Sequence, residues 1–161
     1  MVRVSSHLKR TNGKEMAIMR KNLTLAATVV VGILLYCGCA STPKRDLTKL
    51  QGTWVGEEIG GPKGECRMTV EGATLKFQGA RAEEWYVATL TLNPKAQPKQ
   101  ALVRIGDCPA PKYINQTAKA IYKLEGKTLT IAAHEPGDEA VPTTFEPSAG
   151  SRMREFVFTR Q

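Results

Sequence analysis

Few side chains after residue 40 have the types and spacing that catalysis or metal binding requires. One histidine, His134, falls there, whereas a zinc site needs three or four converging ligands. Acidic neighbours occur at Glu57-Glu58, Glu83-Glu84 and Asp138-Glu139. Neighbouring residues of a strand point to opposite faces, so these pairs are interpreted as solvated charge. Because nucleophile-elbow and phosphate-loop motifs are also missing, the sequence predicts no catalytic residue, no metal site and no cofactor.

An export signal is predicted near the amino terminus. Residues 19–22 are a short basic segment, and residues 23–36, LTLAATVVVGILLY, are an uncharged apolar run. This order is typical of a secretory signal peptide, and about 14 residues are too few to cross a hydrocarbon core, which needs roughly 20. The polar stretch ahead of the signal makes Met16 and Met19 alternative candidates for the true start.

The segment LYCGCAS at residues 35–41 resembles a bacterial lipobox. In that signal a small residue precedes a cysteine whose thiolate takes a diacylglyceryl group and which becomes the new amino terminus. Cys39 follows Gly38 and fits this role, whereas Cys37 follows the bulky Tyr36. Burial of the acyl chains, at about 0.8 kcal/mol per CH₂ group, would hold the protein at a membrane. The alternative is an ordinary signal peptide with incidental cysteines.

The chain is therefore divided into a leader with its lipoprotein signal at 1–39, a tether at 40–48 and a β domain at 49–161. The tether sequence, ASTPKRDLT, is polar and contains Pro43. Ala40, in place of an aspartate, resembles the outer-membrane sorting signal of Gram-negative bacteria. The expected location is the outer membrane, with the domain facing the periplasm.

Two cysteines, Cys66 and Cys108, remain after processing at Cys39. In an oxidising, extracytoplasmic compartment they are candidates for a disulfide. Such a bond would close a loop of about 40 residues and stabilise the domain by roughly 3–4 kcal/mol in the chain-entropy model. Two separately buried thiols are the alternative.

The net charge of +8 does not predict nucleic-acid binding. Residues 1–39 hold six basic residues and one acidic residue, so most of the excess belongs to the leader. The remaining basic residues are scattered along the chain, whereas a nucleic-acid surface needs them clustered with aromatic residues between them.

Short strands separated by turns dominate the rest of the chain, a pattern typical of a β-sandwich or barrel. Strands are predicted at 52–58, 65–70, 74–78, 84–92, 100–106, 120–124, 128–133 and 154–159, with a further short one at 143–146. No helix is predicted, only a turn at 46–51. Glu71-Gly72 and Glu125-Gly126 are predicted to be two-residue hairpin turns. The inward faces of these hairpins are then Cys66, Met68, Val70, Leu75 and Phe77 in the first, and Tyr122, Leu124, Leu129 and Ile131 in the second.

Several segments occur in an order that resembles a known family. They are LQGTW at 50–54, TLNPK at 91–95, AIYKLEGKTLTI at 120–131, PTTF at 142–145 and FVFTR at 156–160. Together they resemble the lipocalin-like domain of unknown function that is common in planctomycetes and verrucomicrobia. The resemblance implies a small antiparallel up-and-down barrel of about eight strands and carries no catalytic residues. Val141 stands where that family commonly has an arginine.

The triplet Gly52-Thr53-Trp54 also resembles the opening of true lipocalins, in which the tryptophan plugs the barrel base beneath an arginine of the last strand. By that analogy Arg160 stacks on Trp54, a contact worth roughly 0.5–2 kcal/mol. The alternative is a core Trp54 with Arg160 in solvent.

The sequence is consistent with two functions. The first is a membrane-anchored, non-catalytic lipocalin-like domain that binds a small apolar or amphipathic ligand. The second is a structural lipoprotein with a solid core that docks another envelope protein through the loops at 93–99 and 107–117. An open apolar cavity would favour the first function, and a filled core the second.

Overall fold

The computed structural model describes residues 42–148 and 150–161. Within these ranges the chain forms one α-helix and eight strands. They are α1 (Pro43–Leu50), β1 (Gly52–Ile59), β2 (Cys66–Glu71), β3 (Thr74–Gln78), β4 (Trp85–Asn93), β5 (Gln100–Asp107), β6 (Thr117–Glu125), β7 (Thr128–Ala133) and β8 (Arg154–Arg160). The predicted leader, its signal peptide and Cys39 lie outside the described residues.

The eight strands form a closed antiparallel barrel. Each strand pairs with the next one along the chain, and β8 pairs back onto β1. The predicted all-β, up-and-down barrel is therefore confirmed. Each of its eight strands begins and ends within three residues of the predicted positions. The alternation of buried and exposed residues along β2, β3 and β5 is the pattern that made these strands recognisable.

The ninth strand, predicted at 143–146, is wrong, because this segment has no strand structure. Pro142 and Pro147 flank it, and a proline has no backbone N–H to contribute to a sheet. Its apolar residue, Phe145, instead packs from outside the barrel against a small cluster of Ile121, Ala132 and Met153.

The two hairpin turns lie one residue later than predicted. The observed pairs Glu71↔Thr74 and Glu125↔Thr128 leave Gly72-Ala73 and Gly126-Lys127 as the turn residues. Gly72 and Gly126 have φ angles of +59° and +60°, which suits the first turn position of a type II′ hairpin. In each hairpin the observed cross-strand partner of a residue therefore lies two positions beyond the predicted partner. Because this shift is even, each side chain keeps its predicted face. All nine predicted inward residues lie in or against the core.

A helix occupies most of the predicted tether, so the prediction of no helix is wrong. Thr42 caps α1 by accepting a hydrogen bond from the Arg45 N–H, and Pro43 begins its first turn. Leu50 and Asp46, on the inner side of the helix, are buried. The charged sequence PKRDLTKL conceals this short amphipathic helix, whose Leu47 and Leu50 pack with the barrel core.

The helix α1 is held on one end of the barrel, here called the closed end. The turns 72–73 and 126–127 and the loop 94–99 lie at the same end. The Asp46 Oδ2 atom accepts hydrogen bonds from Lys99 Nζ at 2.7 Å and from the Tyr122 hydroxyl at 2.9 Å. The opposite end, here called the open end, carries the longer connections 60–65, 79–84, 108–116 and 134–153.

Acid is expected to release α1 from the closed end. Burial acts to raise the pKa of Asp46, but hydrogen bonds from Lys99 and Tyr122 and the nearby lysine charges lower it below its ordinary 3.8. A lowered pKa adds stability above about pH 4, and this contribution is lost as the pH falls through the folded-state value. Asp46→Asn is expected to cost about 1–3 kcal/mol at pH 7 and to flatten the acid limb of the stability profile. Urea unfolding between pH 2.5 and 7 measures both effects, and a variant with an unchanged acid limb contradicts the assignment.

Candidate functional site

Two adjoining cavities open between the loops of the open end. Their volumes are about 430 and 370 Å³, and both are lined by Tyr86, Ile105, Tyr113, Pro136 and Arg154. We treat them as one site and call it the mouth cleft. The half of the barrel nearer the closed end is filled by aliphatic residues and leaves a cavity of about 30 Å³. Of these cavities, the two that form the mouth cleft are large enough for a small organic ligand, whereas the one near the closed end is not.

Aromatic side chains form much of the cleft wall. Tyr86 stacks on Phe77 with ring centroids 4.8 Å apart, and Phe77 meets Phe156 edge to face at 5.4 Å. Trp85 and Tyr113 extend the wall toward solvent. These rings supply a large apolar surface in a fixed arrangement.

A partly buried ion-pair cluster of Arg154, Glu58 and Glu84 lies at the floor of the mouth cleft, which Arg154 and Glu84 line. Arg154 donates to both carboxylate oxygens of Glu58, at 2.6 and 2.5 Å, and approaches Glu84 Oε1 at 2.5 Å. The side chains of Glu58 and Glu84 are only 8% and 17% exposed. Burial acts to lower the pKa of Arg154, but the two carboxylates outweigh burial and raise it. The guanidinium therefore stays charged and pairs with two carboxyl side chains at once.

Two polar atoms of the cleft have no hydrogen-bond partner within the described residues. Glu84 Oε2 and His134 Nδ1 are both buried and unsatisfied, and their residues line the first and the second cavity respectively. Arg81 approaches Glu84 Oε2 only to 4.0 Å, which is too long for a hydrogen bond. Since buried polar atoms normally find partners, these two atoms leave the polar groups beside the cleft incompletely paired.

Charged residues at the rim join two of the open-end loops. The Tyr113 hydroxyl donates a short hydrogen bond to Glu135 Oε1, and Lys112 and Arg152 pair with the same carboxylate. The Tyr113 hydrogen bond, followed by those positive charges, lowers the pKa of Glu135. The carboxylate therefore links the loop 108–116 to the loop 134–153 over the cleft.

The ion-pair cluster was not predicted from the sequence, although the expected directions of neighbouring acidic side chains were correct. Neighbouring acids do point to opposite faces: Glu57 and Glu83 are exposed, whereas Glu58 and Glu84 point inward. The interpretation of all these acids as solvated is therefore wrong for Glu58 and Glu84. The overlooked signal is strand phase, since Arg154 falls in register with the inward-facing Phe156 and Phe158.

The closed end contains the predicted tryptophan–arginine contact. Trp54 is fully buried, and the Arg160 guanidinium carbon lies 4.5 Å from its ring centroid. The Trp54 indole N–H donates to the Leu50 carbonyl at 2.8 Å, and Arg160 donates a short hydrogen bond to the Lys49 carbonyl. These two carbonyls end α1 and have no partner within the helix. The pair therefore ties the helix to the barrel as well as filling its base.

The candidate disulfide pair, Cys66 and Cys108, consists of two free thiols in the structure. Cys66 is buried near Ala80, and burial raises the pKa of its thiol. Cys108 is half-buried, lines the mouth cleft and donates to the Ala110 carbonyl at 3.1 Å.

Thiol reactivity is expected to differ between these two cysteines. Residues 40–161 form one compact unit that contains α1 and the barrel, here called the unit 40–161. In this native unit, one thiol per chain should react quickly with a chromogenic thiol reagent, and Cys108→Ser should abolish that reaction. Cys66 should react only after unfolding, because it is buried and its thiolate is disfavoured. Absence of any reactive thiol after unfolding would show that the two cysteines are bridged.

Comparisons with protein-family models, with curated proteins and with solved structures give no match. Among residues 42–148 and 150–161, no group of three or more histidine, cysteine or acidic side chains is arranged to hold a metal ion. No helix in these ranges has the length and apolar character to span a bilayer.

Proposed function

We propose that this protein is an exported lipoprotein, acylated at Cys39, whose lipocalin-like barrel binds a small amphipathic ligand in the mouth cleft. The observation that carries the binding role is a cleft with aromatic walls and a charged, incompletely paired floor. Its two cavities fall within the usual range for small-molecule sites, about 300–1,000 Å³.

The residues of the cleft favour a particular ligand chemistry. Its apolar body would lie against Tyr86, Phe156 and Ile105, where displacement of water drives binding. Its polar end would lie beside the Glu84 carboxylate, a side chain that lines the first cavity. A neutral or cationic head group is favoured over a carboxylate there, because Arg154 is already paired with both Glu58 and Glu84.

The second candidate, a solid-core docking module, is favoured by the filled half of the barrel near the closed end. The two loops assigned to docking do not form one surface, however. The loop 93–99 lies at the closed end, whereas 107–117 borders the mouth cleft. A docking role would therefore use one of these loops and not both.

Matched amphiphiles that differ only in head group test the binding role. Dodecylamine, dodecanol and dodecanoate are titrated into the unit 40–161, with Trp85 fluorescence and protection of Cys108 from a thiol reagent as independent readouts. We expect the amine and alcohol to change both signals, and the carboxylate to bind at least about tenfold more weakly. Trp85→Phe should remove the fluorescence response while Cys108 protection persists.

A variant and a matched control assign the head-group contact. Glu84→Gln should weaken amine binding by about tenfold, a change of ~1.4 kcal/mol. Glu57→Gln changes the charge equally but lies outside the barrel and should bind as the wild type does. Failure of all three amphiphiles to change either signal would overturn the binding proposal in favour of docking.

Acylation is tested separately in a bacterial host. Mass spectrometry of the mature protein should show a diacylated amino-terminal Cys39. A Cys39→Ser chain that remains equally membrane-bound would contradict the anchor and leave the binding proposal untouched.

A further inference from the structure

Charged side chains are divided unevenly between the two ends of the barrel. Residues 42–148 and 150–161 hold seventeen basic and fourteen acidic residues. The closed end holds nine of the basic residues and three of the acidic ones. This count includes Lys76 and Lys123, two strand residues that pair with acids of the closed end. The basic residues are Lys44, Arg45, Lys49, Lys76, Lys95, Lys99, Lys123, Lys127 and Arg160, and the acidic ones are Asp46, Glu71 and Glu125. The remainder of the barrel holds eight basic and eleven acidic residues, so the fold collects charges that are scattered in the sequence.

The acids of the closed end are all engaged in ion pairs. The pairs are Asp46–Lys99 at 2.7 Å, Glu71–Lys76 at 3.6 Å and Glu125–Lys123 at 3.3 Å. Five exposed basic residues have no acidic side chain within 4 Å in the described part of the chain: Lys44, Arg45, Lys49, Lys95 and Lys127. They come from α1, the loop 94–99 and the turn 126–127, which lie at the same end of the barrel. The closed end therefore presents one cationic surface.

The character of this surface fits anionic lipid better than nucleic acid. Proteins that bind single strands place exposed aromatic rings between their basic residues to stack on bases. At the closed end Trp54 and Tyr122 are both buried. Phe145, next to Lys123, is half-buried and packs against the side of the barrel. Lysine and arginine alone, spread over one end of a compact body, suit a plane of lipid phosphates, which attracts basic residues over about one Debye length.

The position of the chain entry favours the same partner. Thr42, the cap of α1, follows Cys39 by three residues. An extended chain spans at most about 3.6 Å per residue, so an acylated Cys39 would lie within roughly 11 Å of the helix. We propose that the closed end docks on an anionic membrane surface through these five cations, which points the mouth cleft away from the lipid. The proposal deepens the proposed anchoring, but its charge interaction requires no acyl chain.

Vesicle binding by the unit 40–161, a closed barrel with its own core, tests this docking without Cys39. We expect at least about tenfold stronger partitioning onto vesicles of phosphatidylcholine with 30% phosphatidylglycerol than onto phosphatidylcholine alone. Raising the salt to about 0.5 M should remove most of the difference, since screening shortens the range of the attraction. Equal binding to both vesicle types would overturn the proposal.

Charge-matched variants locate the surface. Lys49→Gln, Lys95→Gln and Lys127→Gln combined remove three closed-end charges and should abolish most of the preference for anionic vesicles. Lys63→Gln, Arg67→Gln and Arg104→Gln combined remove three charges from the remainder of the barrel and should leave it unchanged; equal losses would contradict the proposal. Binding to duplex DNA that is as strong as binding to anionic vesicles would overturn it in favour of nucleic acid. None of these readouts depends on acylation, so failure of the Cys39 anchor is distinguished from failure of the docking.

Discussion

Replacing Arg154 by methionine is expected to lower the free energy of unfolding by about 2–4 kcal/mol at pH 7. The substitution leaves the largely buried carboxylates of Glu58 and Glu84 close together without the cation that pairs with both. Removing one partner of a buried pair costs about 3–5 kcal/mol. We expect a smaller loss of stability than this because the Arg154 side chain is 39% exposed, so water screens part of its attraction to the carboxylates. Urea unfolding measures the difference.

Replacement of the two carboxylates and a neighbouring arginine distinguish this mechanism from lost packing. The deficit of Arg154→Met should shrink when Glu58 and Glu84 are both replaced by glutamine, because no buried charge is then left without its partner. Arg152→Met removes an arginine that is 79% exposed and pairs with the surface carboxylate of Glu135, so it should leave stability nearly unchanged. A deficit that is equally large when both carboxylates are replaced would show that the alkyl chain of Arg154, rather than its charge, stabilises the open end.

Trp54→Ala is expected to cost about 3–5 kcal/mol, the range for truncating a large core aromatic. The fully buried ring fills the closed end, supports the Arg160 guanidinium and donates to the last carbonyl of α1. The variant should therefore also loosen α1, which hydrogen exchange at the amides of residues 45–50 would detect.

Trp85 provides a control of identical chemistry at the opposite end. It is 36% exposed at the rim of the mouth cleft, so Trp85→Ala should cost less than about 1 kcal/mol and leave exchange in α1 unchanged. Similar losses in the two variants would contradict the role of Trp54 as the residue that joins the helix to the barrel.

The strands were predictable from sequence because local signals agree with the fold. In β2, Cys66, Met68 and Val70 alternate with polar residues, and each hairpin places a glycine where the turn needs a positive φ. An error of one residue in each turn did not change the inward face, because the total shift was even. The helix α1 lacked such a signal, since its buried Asp46 depends on Lys99 and Tyr122, which are distant in the chain.

The candidate site was not predictable from local pattern for the same reason. Glu58, Glu84 and Arg154 come from three separate segments that only the closed barrel brings together. Each of these residues, taken alone in the sequence, resembles an ordinary charged surface residue. That they point inward can be recognised only once the positions of the strands are known. The cationic closed end is likewise a product of topology, because its residues come from α1 and several turns.

The pairing of β1 with β8 also determines when the barrel can form during folding. This pairing, in which Trp54 lies opposite Arg160, joins the first strand to the last. The other seven pairings each join strands that are consecutive in the chain. The seven neighbouring pairings can form locally, but the final seam must wait for the last strand, and such distant contacts slow folding. Until then β1 presents an unpaired edge of backbone N–H and C=O groups, a template for association between chains. Aggregation during refolding should therefore depend strongly on protein concentration until the seam closes.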